Sequence, residues 1–488
     1  MTPEQFREHG HQAIDWLADY HERIESYPVG TRSRPGSVRA SLPSAAPESG
    51  EPFELILRDL ERVIVPGLTH WQSPSFFGYF PSNASPPSIL ADLISSGLGI
   101  QGMMWATSPA CTELETHVLD WLVDLLGLPS AFRSDGEGGG VIQDTASSST
   151  LCALLAARER MTGFASNAAG VIQGGYKDNG DFGNLGDFGN LGGATLVAYA
   201  SREAHSSVTK AVKVAGIGEA NLRLIEADDE QMMDPAALGL AMDTDAKAGR
   251  RPFFVCATIG TTTSAAVDPV RAIGAHAARH GAWLHVDAAY AGSACVCEEF
   301  RGSHDGVDLA DSYTFNPHKW LLTNFDCNVF YVRDRRALTD TFAINPEYLR
   351  NAASDAGGVI DYRDWHIPLG RRFRALKLWF VLRSYGADGL RRHIRRHVEL
   401  AKRFADLVSA SNNFELAAPQ RFGLVCFRHR GDDEKNRAIL RAVNEGGSAY
   451  LTHAVIDGKV TLRLAIGAVG TEWRHVAGVW EAMEENDE

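Results

Sequence analysis

From about residue 86 to 365 the chain alternates short, nearly continuous apolar runs with stretches of helical period. Ala194-Thr-Leu-Val-Ala-Tyr, Pro252-Phe-Phe-Val-Cys-Ala-Thr and Ala282-Trp-Leu-His-Val are examples. Their density of β-branched and aromatic residues, without alternation, is that of strands buried on both faces. Helical stretches between such strands imply a mostly parallel central sheet with helices on both faces, an α/β fold. After residue 366 the pattern changes to helices plus short strands such as Gly423-Leu-Val-Cys-Phe and Val460-Thr-Leu-Arg-Leu, which suits a small α+β domain. Before residue 86, Thr2-Pro-Glu-Gln5 reads as a capped helix start, and Phe6, Ala13, Ile14 and Leu17 form an apolar stripe. A Pro/Ser/Gly-rich linker over 28–52 and a second amphipathic helix over 53–65 follow. The expected division is an N-terminal helical arm (1–85), a large domain (86–365) and a small C-terminal domain (366–488).

Composition removes several classes of function. Hydrophobic content of 44% and charged content of 22% are ordinary for a globular protein. A net charge of −14 disfavours nucleic-acid binding. The basic run Arg391-Arg-His-Ile-Arg-Arg-His397 has no interleaved aromatic platform and reads as a solvated helix face. The seven cysteines are scattered, with no paired spacing for zinc, so no metal is expected. Free thiols, an N-terminus without the apolar core of a signal peptide, and no membrane-length apolar stretch together read as a cytoplasmic protein away from membranes.

Two segments carry chemistry. Asp287 ends the apolar run Trp-Leu-His-Val-Asp, and Lys319 follows in Asn-Pro-His-Lys-Trp (316–320). Alone, each residue would be a strand-end carboxylate and a surface lysine. Together they are what pyridoxal phosphate requires: an amine to form a Schiff base with its aldehyde, and a carboxylate to keep its ring nitrogen protonated. The turn Gln143-Asp-Thr-Ala-Ser-Ser148 opens a helical pattern, where free N–H groups and the positive end of the helix dipole suit a phosphate.

The segments His-Val-Asp-Ala-Ala-Tyr-Ala-Gly (285–292) and Asn-Pro-His-Lys-Trp-Leu-Leu (316–322) resemble the group II pyridoxal-phosphate decarboxylases, aromatic-L-amino-acid branch. Ser-Pro-Ala-Cys-Thr-Glu-Leu-Glu (108–115) and Ile-Pro-Leu-Gly-Arg-Arg-Phe-Arg (367–374) extend the likeness along most of the chain. The resemblance implies the aspartate-aminotransferase-like fold (fold type I) and a homodimer on which the N-terminal arm packs. It implies Lys319 as the cofactor lysine and Asp287 as the partner of the ring nitrogen. It places Ala146, Ser147 and Asn316 at the phosphate, and His205 and Ala289 on opposite faces of the ring. Thr262 and His318 complete the cofactor contacts. Relatives often have Gly-Ser where this chain has Asp144-Thr145, so Asp144 must point away from the phosphate or meet a cation.

The same resemblance makes Tyr348, in Asn345-Pro-Glu-Tyr-Leu349, the acid that protonates the substrate carbon after carbon dioxide leaves. Aldehyde-synthase relatives carry phenylalanine there. Catalysis is thus expected of Lys319, Tyr348, His205 and Asp287. The substrate wall is expected from Trp71, Tyr79, Phe80, Ser82 and Phe325, with Gln101 and Met103 contributed in trans, and aromatic walls suit an aromatic amino acid. Gly370 matches a glycine common in indole-accepting members. Competing readings are a decarboxylase of histidine or of an acidic amino acid, an aldehyde synthase, and a catalytically silent dimeric scaffold. The tandem repeat Asp-Phe-Gly-Asn-Leu-Gly (181–186, 187–192) reads as an inserted surface loop.

Overall fold

The computed structural model describes residues 1–170, 194–344 and 359–485. The 181–192 repeat and Tyr348 lie outside the described residues. The chain divides into two compact units, Asn83–Arg396, and Met1–Ser82 together with His397–Glu488.

The larger unit is built on seven strands: β1 (Gly139–Gln143), β2 (Leu196–Ser201), β3 (Leu222–Ile225), β4 (Arg251–Thr258), β5 (Trp283–Asp287), β6 (Ser312–Phe315) and β7 (Asn328–Val332). Their order across the sheet is β1-β7-β6-β5-β4-β2-β3. Strands β3, β2, β4, β5 and β6 pair in parallel, whereas β7 runs antiparallel to both β6 and β1. Six of the seven strands therefore point the same way, and their carboxyl ends line one edge. Every residue of β1, β2, β5, β6 and β7 is buried, which is why these runs are apolar without alternation.

Four helices matter below: α1 (Pro3–Glu22), α2 (Pro86–Leu98), α3 (Pro109–Leu126) and α4 (Ala146–Thr162). Helix α4 packs its Ala153, Leu154, Ala156 and Ala157 into the core formed with Ala198, Phe254 and Phe330 of the sheet. Helix α2 is built the other way round. Its buried positions are small (Ser88, Ala91, Ser95), while Leu90, Leu93, Ile94 and Leu98 are exposed.

In the smaller unit α1 opens with the expected capping box: Thr2 Oγ1 accepts from Gln5 N, and Gln5 Oε1 accepts from Thr2 N. No residue of α1 is buried. The expected 53–65 helix begins as α over Phe53–Asp59 and widens into a π turn over Leu60–Ile64. The 28–52 linker contains one short helix, Ser37–Ser41. The antiparallel sheet of this unit orders β8 (Phe414–Leu416), β9 (Leu424–His429), β10 (Thr452–Ile456) and β11 (Lys459–Ala465) as β10-β11-β9-β8. The β10–β11 hairpin turns on Asp457 and Gly458, both at positive φ (50° and 74°), as a two-residue hairpin loop of this hand requires. Phe404, Phe414, Phe427, Leu462 and Val476 form its core.

Candidate active site

Ligands bind at the carboxyl ends of parallel strands, where loops leave the sheet and helix N-termini point inward. In the larger unit that edge gathers the residues expected to bind the cofactor. Asp287 is the last residue of β5, paired with Thr314 of β6 and Thr258 of β4. It is 4% exposed, and its Oδ1 accepts from Ala289 N at 2.9 Å. Lys319 lies just beyond β6, in the one-turn helix Pro317–Trp320, and is half-buried. His205 follows β2, and Thr262, exposed, follows β4. Asp287 draws the His205 pKa up and Lys319 pushes it down, so the three groups share one electrostatic neighbourhood. Although part of its ring is exposed, His205 sits below the ordinary histidine value, first because of the atoms packed behind it.

Both histidines beside the site have Nδ1 committed. Ser207 N donates to His205 Nδ1 at 3.1 Å, and Cys327 N donates to His318 Nδ1 at 2.9 Å. Burial, helped by the Lys319 charge, brings His318 to a pKa of about 3. A neutral ring that accepts at Nδ1 carries its proton on Nε2, so each imidazole offers an N–H donor. Phe325 lies against His318 with ring centroids 4.9 Å apart.

The phosphate side is set by α4, which begins at Ala146 with Thr145 as its cap; Ser147 lies in the first turn. Ser147, Ala289 and Lys319 are only partly buried, whereas Asn316 is 3% exposed. Asn328 fixes the Asn316 amide: its Nδ2 donates to Asn316 Oδ1 at 2.5 Å and to Thr314 Oγ1 at 2.8 Å, while its Oδ1 accepts from Ser149. With Oδ1 occupied, Asn316 presents its NH2 as donor. The acidic residue in the turn faces solvent: Asp144 is exposed, and its Oδ1 accepts the Thr145 N–H at 2.7 Å. Sequence reasoning missed Asn328, because nothing near it in the chain marks it.

Gln101, Met103 and Gly370 also belong to the larger unit. Gly102 N donates to Arg371 O at 3.0 Å, and Arg363 N donates to Met103 O at 2.9 Å. A Cβ added to Gly370 would lie 3.5 Å from Gln101 Oε1. Behind this loop is a buried ion pair that the sequence did not reveal, Arg371 Nη2 to Glu115 Oε1 at 2.6 Å. The same carboxylate oxygen accepts from Ile142 N at 2.7 Å, and Arg371 donates to the carbonyls of Ile142 (2.9 Å) and Gly102 (3.3 Å). One pair thus ties the 101–103 loop to the strand that leads into the phosphate turn.

Trp71, Tyr79, Phe80 and Ser82 belong to the smaller unit. Trp71 and Tyr79 stack at 5.4 Å and 10°, Arg463 sits over Phe80 at 5.3 Å, and Ser82 O accepts from Gln72 Nε2 at 2.5 Å. Gly78 is required next to them, since a Cβ there would meet Tyr450 at 2.8 Å.

The donor set at the sheet edge fits a phosphate-bearing aromatic aldehyde. It combines helix N–H groups and an amide NH2 for the phosphate, a buried carboxylate for a ring nitrogen, a small residue (Ala289) beside that carboxylate, and an amine. Comparison with known proteins agrees. The profile of the pyridoxal-dependent decarboxylase conserved domain matches residues 35–171 and 190–430. A phenylacetaldehyde synthase of Arabidopsis thaliana is 47% identical over 99% of this chain and 96% of its own length. Tyrosine decarboxylase 2 of Narcissus pseudonarcissus is 45% identical over 99% of this chain and 94% of its own. Among solved structures, Oryza sativa TDC with PLP and tryptamine superposes with a TM-score of 0.92 at 43% identity, covering 100% of this chain and 98% of that one.

Proposed function

The chain belongs to the pyridoxal-dependent decarboxylase family, a carboxy-lyase of fold type I whose cofactor is pyridoxal 5'-phosphate, and from that premise we propose that it converts an aromatic L-amino acid to the corresponding amine and carbon dioxide. Tryptophan, 5-hydroxytryptophan, DOPA, phenylalanine and tyrosine are the substrates in view. The observation that carries amine over aldehyde as product is Tyr348, a phenol at the position where the family resemblance puts the proton donor.

When bound, pyridoxal phosphate supplies the electron sink that makes the bonds at the substrate Cα labile. The chain does the rest. Lys319 Nζ would be the amine that holds the cofactor covalently. The Asp287 carboxylate would keep a proton on the ring nitrogen, and its burial would strengthen that pairing. The Nε2–H of His205 faces the substrate carboxylate, and that of His318 stays next to Lys319. Ala146, Ser147, Asn316 and Thr262 would hold the cofactor in register, and Ala289 would leave room for its ring. Tyr348 delivers the proton to Cα. Trp71, Tyr79, Phe80 and Phe325 offer aromatic faces to the substrate ring and Ser82 a small hydroxyl, with Gln101 and Met103 acting from the second subunit of a cytoplasmic homodimer. Support for the dimer comes from the exposed leucine face of α2 and from α1, whose stripe leaves Phe6 exposed and Ala13, Ile14 and Leu17 only partly buried.

The test is product analysis with a panel of aromatic amino acids, histidine and glutamate, scoring amine, carbon dioxide, aldehyde and peroxide. Tyr348→Phe is expected to lower amine formation about 10²–10⁴-fold, the usual worth of general-acid assistance, and to raise aldehyde and peroxide. Borohydride reduction should label a single peptide containing Lys319. Aldehyde as the parent's main product would favour the second reading, an aldehyde synthase, which the likeness to phenylacetaldehyde synthase supports. Turnover of glutamate or histidine alone would overturn the aromatic reading.

A further inference from the structure

The chain leaving Lys319 runs through Leu321, Leu322, Thr323 and Asn324, and Leu322 adopts a left-handed backbone (φ 56°) without being glycine. Leucine does not keep that conformation unless its surroundings enforce it. The enforcing contacts come from the segment that opens α2. Asn83 Oδ1 accepts from Leu322 N at 3.0 Å, and Ser85 Oγ donates to Leu322 O at 2.6 Å, so both peptide groups of the strained residue are held by side chains. Ser88 Oγ accepts from Asn324 N at 3.1 Å while donating to Ser85 O at 2.9 Å. On the other side of the lysine, Asn83 N donates to His318 O at 2.9 Å. Asp92, one turn further along α2, accepts from Asn324 Nδ2 at 3.1 Å and pairs with Arg372 at 3.1 Å. Asn83, Ser85 and Ser88 are buried to 1% exposure or less, so these bonds do not compete with solvent.

We propose that Asn83, Ser85 and Ser88 are positioning residues for Lys319. They grip the backbone on both sides of the lysine and fix the direction in which its amine leaves the chain. Helix capping alone does not account for the arrangement, because three of the bonds run to a loop more than 200 residues away, two of them to the strained Leu322 and the third to Asn324. The proposal rests on the reading of Lys319 as the cofactor lysine.

The test uses purified holoenzyme carrying Asn83→Ala, Ser85→Ala, Ser88→Ala or the conservative Ser85→Thr. Cofactor is displaced with hydroxylamine, pyridoxal phosphate is added back, and the visible absorbance of the lysine-linked form is followed in time and against pH. Asn83→Ala and Ser85→Ala are expected to slow reattachment about tenfold, the kinetic equivalent of one well-placed hydrogen bond, and to move the midpoint of the pH titration. Ser85→Thr should restore both. Thermal midpoints separate this from general destabilisation, which would leave the spectral titration of the folded fraction unmoved. Folded variants with reattachment rates within twofold of the parent and an unmoved titration would overturn the proposal. If Asn83→Ala or Ser85→Ala fails to fold, Ser88→Ala, which removes only the Asn324 contact and a turn-internal bond, carries the same test. Borohydride labelling of another lysine would overturn the reading of Lys319 and this proposal with it. Labelling at Lys319 with unchanged kinetics would overturn this proposal alone.

Discussion

Changing Glu115 to glutamine removes one charge from the buried pair behind the 101–103 loop and little else. The two side chains are 0% and 1% exposed, so water does not compensate the remaining guanidinium. Glutamine keeps an oxygen for Ile142 N, and the Arg371 bonds to the Ile142 and Gly102 carbonyls and its stacking 4.7 Å over Tyr362 all persist. Breaking a buried pair by removing one partner costs about 3–5 kcal/mol, and these surviving contacts put Glu115→Gln near about 3 kcal/mol. The double variant Glu115→Gln/Arg371→Met removes the stranded charge and should be more stable than the sum of the two single changes predicts, by about 1–2 kcal/mol. Urea unfolding of the holoenzyme at one fixed cofactor concentration measures all four proteins on the same scale, because bound cofactor itself stabilises the fold. The loop should loosen as well, so KM should rise more than kcat falls. A glutamine variant within about 0.5 kcal/mol of the parent, the range of a neutral surface change, would refute the reasoning. Strict additivity of the two single changes would refute it equally.

Gly370→Ser should fold normally, since the added Cβ makes an ordinary 3.5 Å contact with Gln101, yet lower activity on tryptophan relative to tyrosine by about 1–3 kcal/mol in kcat/KM; equal loss on both would make the residue structural. Acidification should destabilise the protein. His285 and His304 are pushed down to about 4, and His318 and His366 to about 3, all chiefly by burial, so the unfolded chain binds protons first as pH falls below about 6.5. Each contributes up to about 1.4 kcal/mol per pH unit, and Asp268, raised to about 7 by burial, opposes them over part of that range. A denaturation midpoint that stays flat from pH 6.5 to 4.5 would contradict this balance. Light scattering should give a dimer of the 53.1 kDa chain, and Leu93→Glu with Leu98→Glu on the exposed face of α2 should give an inactive monomer; a fully active monomer would refute the shared-site reading.

What was legible in the sequence was local. The strands announced themselves because burial on both faces demands unbroken apolar runs, and β4 and β5 fall within a residue or two of the runs read for them. The capping box at Thr2 and Gln5 needed only four consecutive residues. Asp287 and Lys319 stood out only as a pair, and both lie at the carboxyl edge of the sheet, one ending β5 and the other just beyond β6. The supporting pairs were not legible. Glu115 and Arg371 both sit in segments that matched the family, but their pairing crosses more than 250 positions and no local pattern encodes it. Asn83 with Leu322, and Asn316 with Asn328, are polar residues whose importance comes only from what the fold sets opposite them. Of the two arrangements expected for Asp144, the structure shows an exposed carboxylate, and the detail the sequence did not carry is its bond to the next residue's own N–H.

The place of β7 in the sheet bears on how the protein is made. Among the described strands, β1, which leads into the phosphate turn, pairs only with β7, Gln143 opposite Asn328. A nascent chain that ends before residue 328 therefore carries β1 with no neighbour to hydrogen-bond. At about 5–20 residues per second, the ribosome needs roughly 10–40 s to travel from one strand to the other. The edge that receives the phosphate is thus closed late in synthesis, after most of the parallel sheet already exists. Cofactor supplied during translation meets no finished cradle, so its grip acts on the end of folding rather than the beginning.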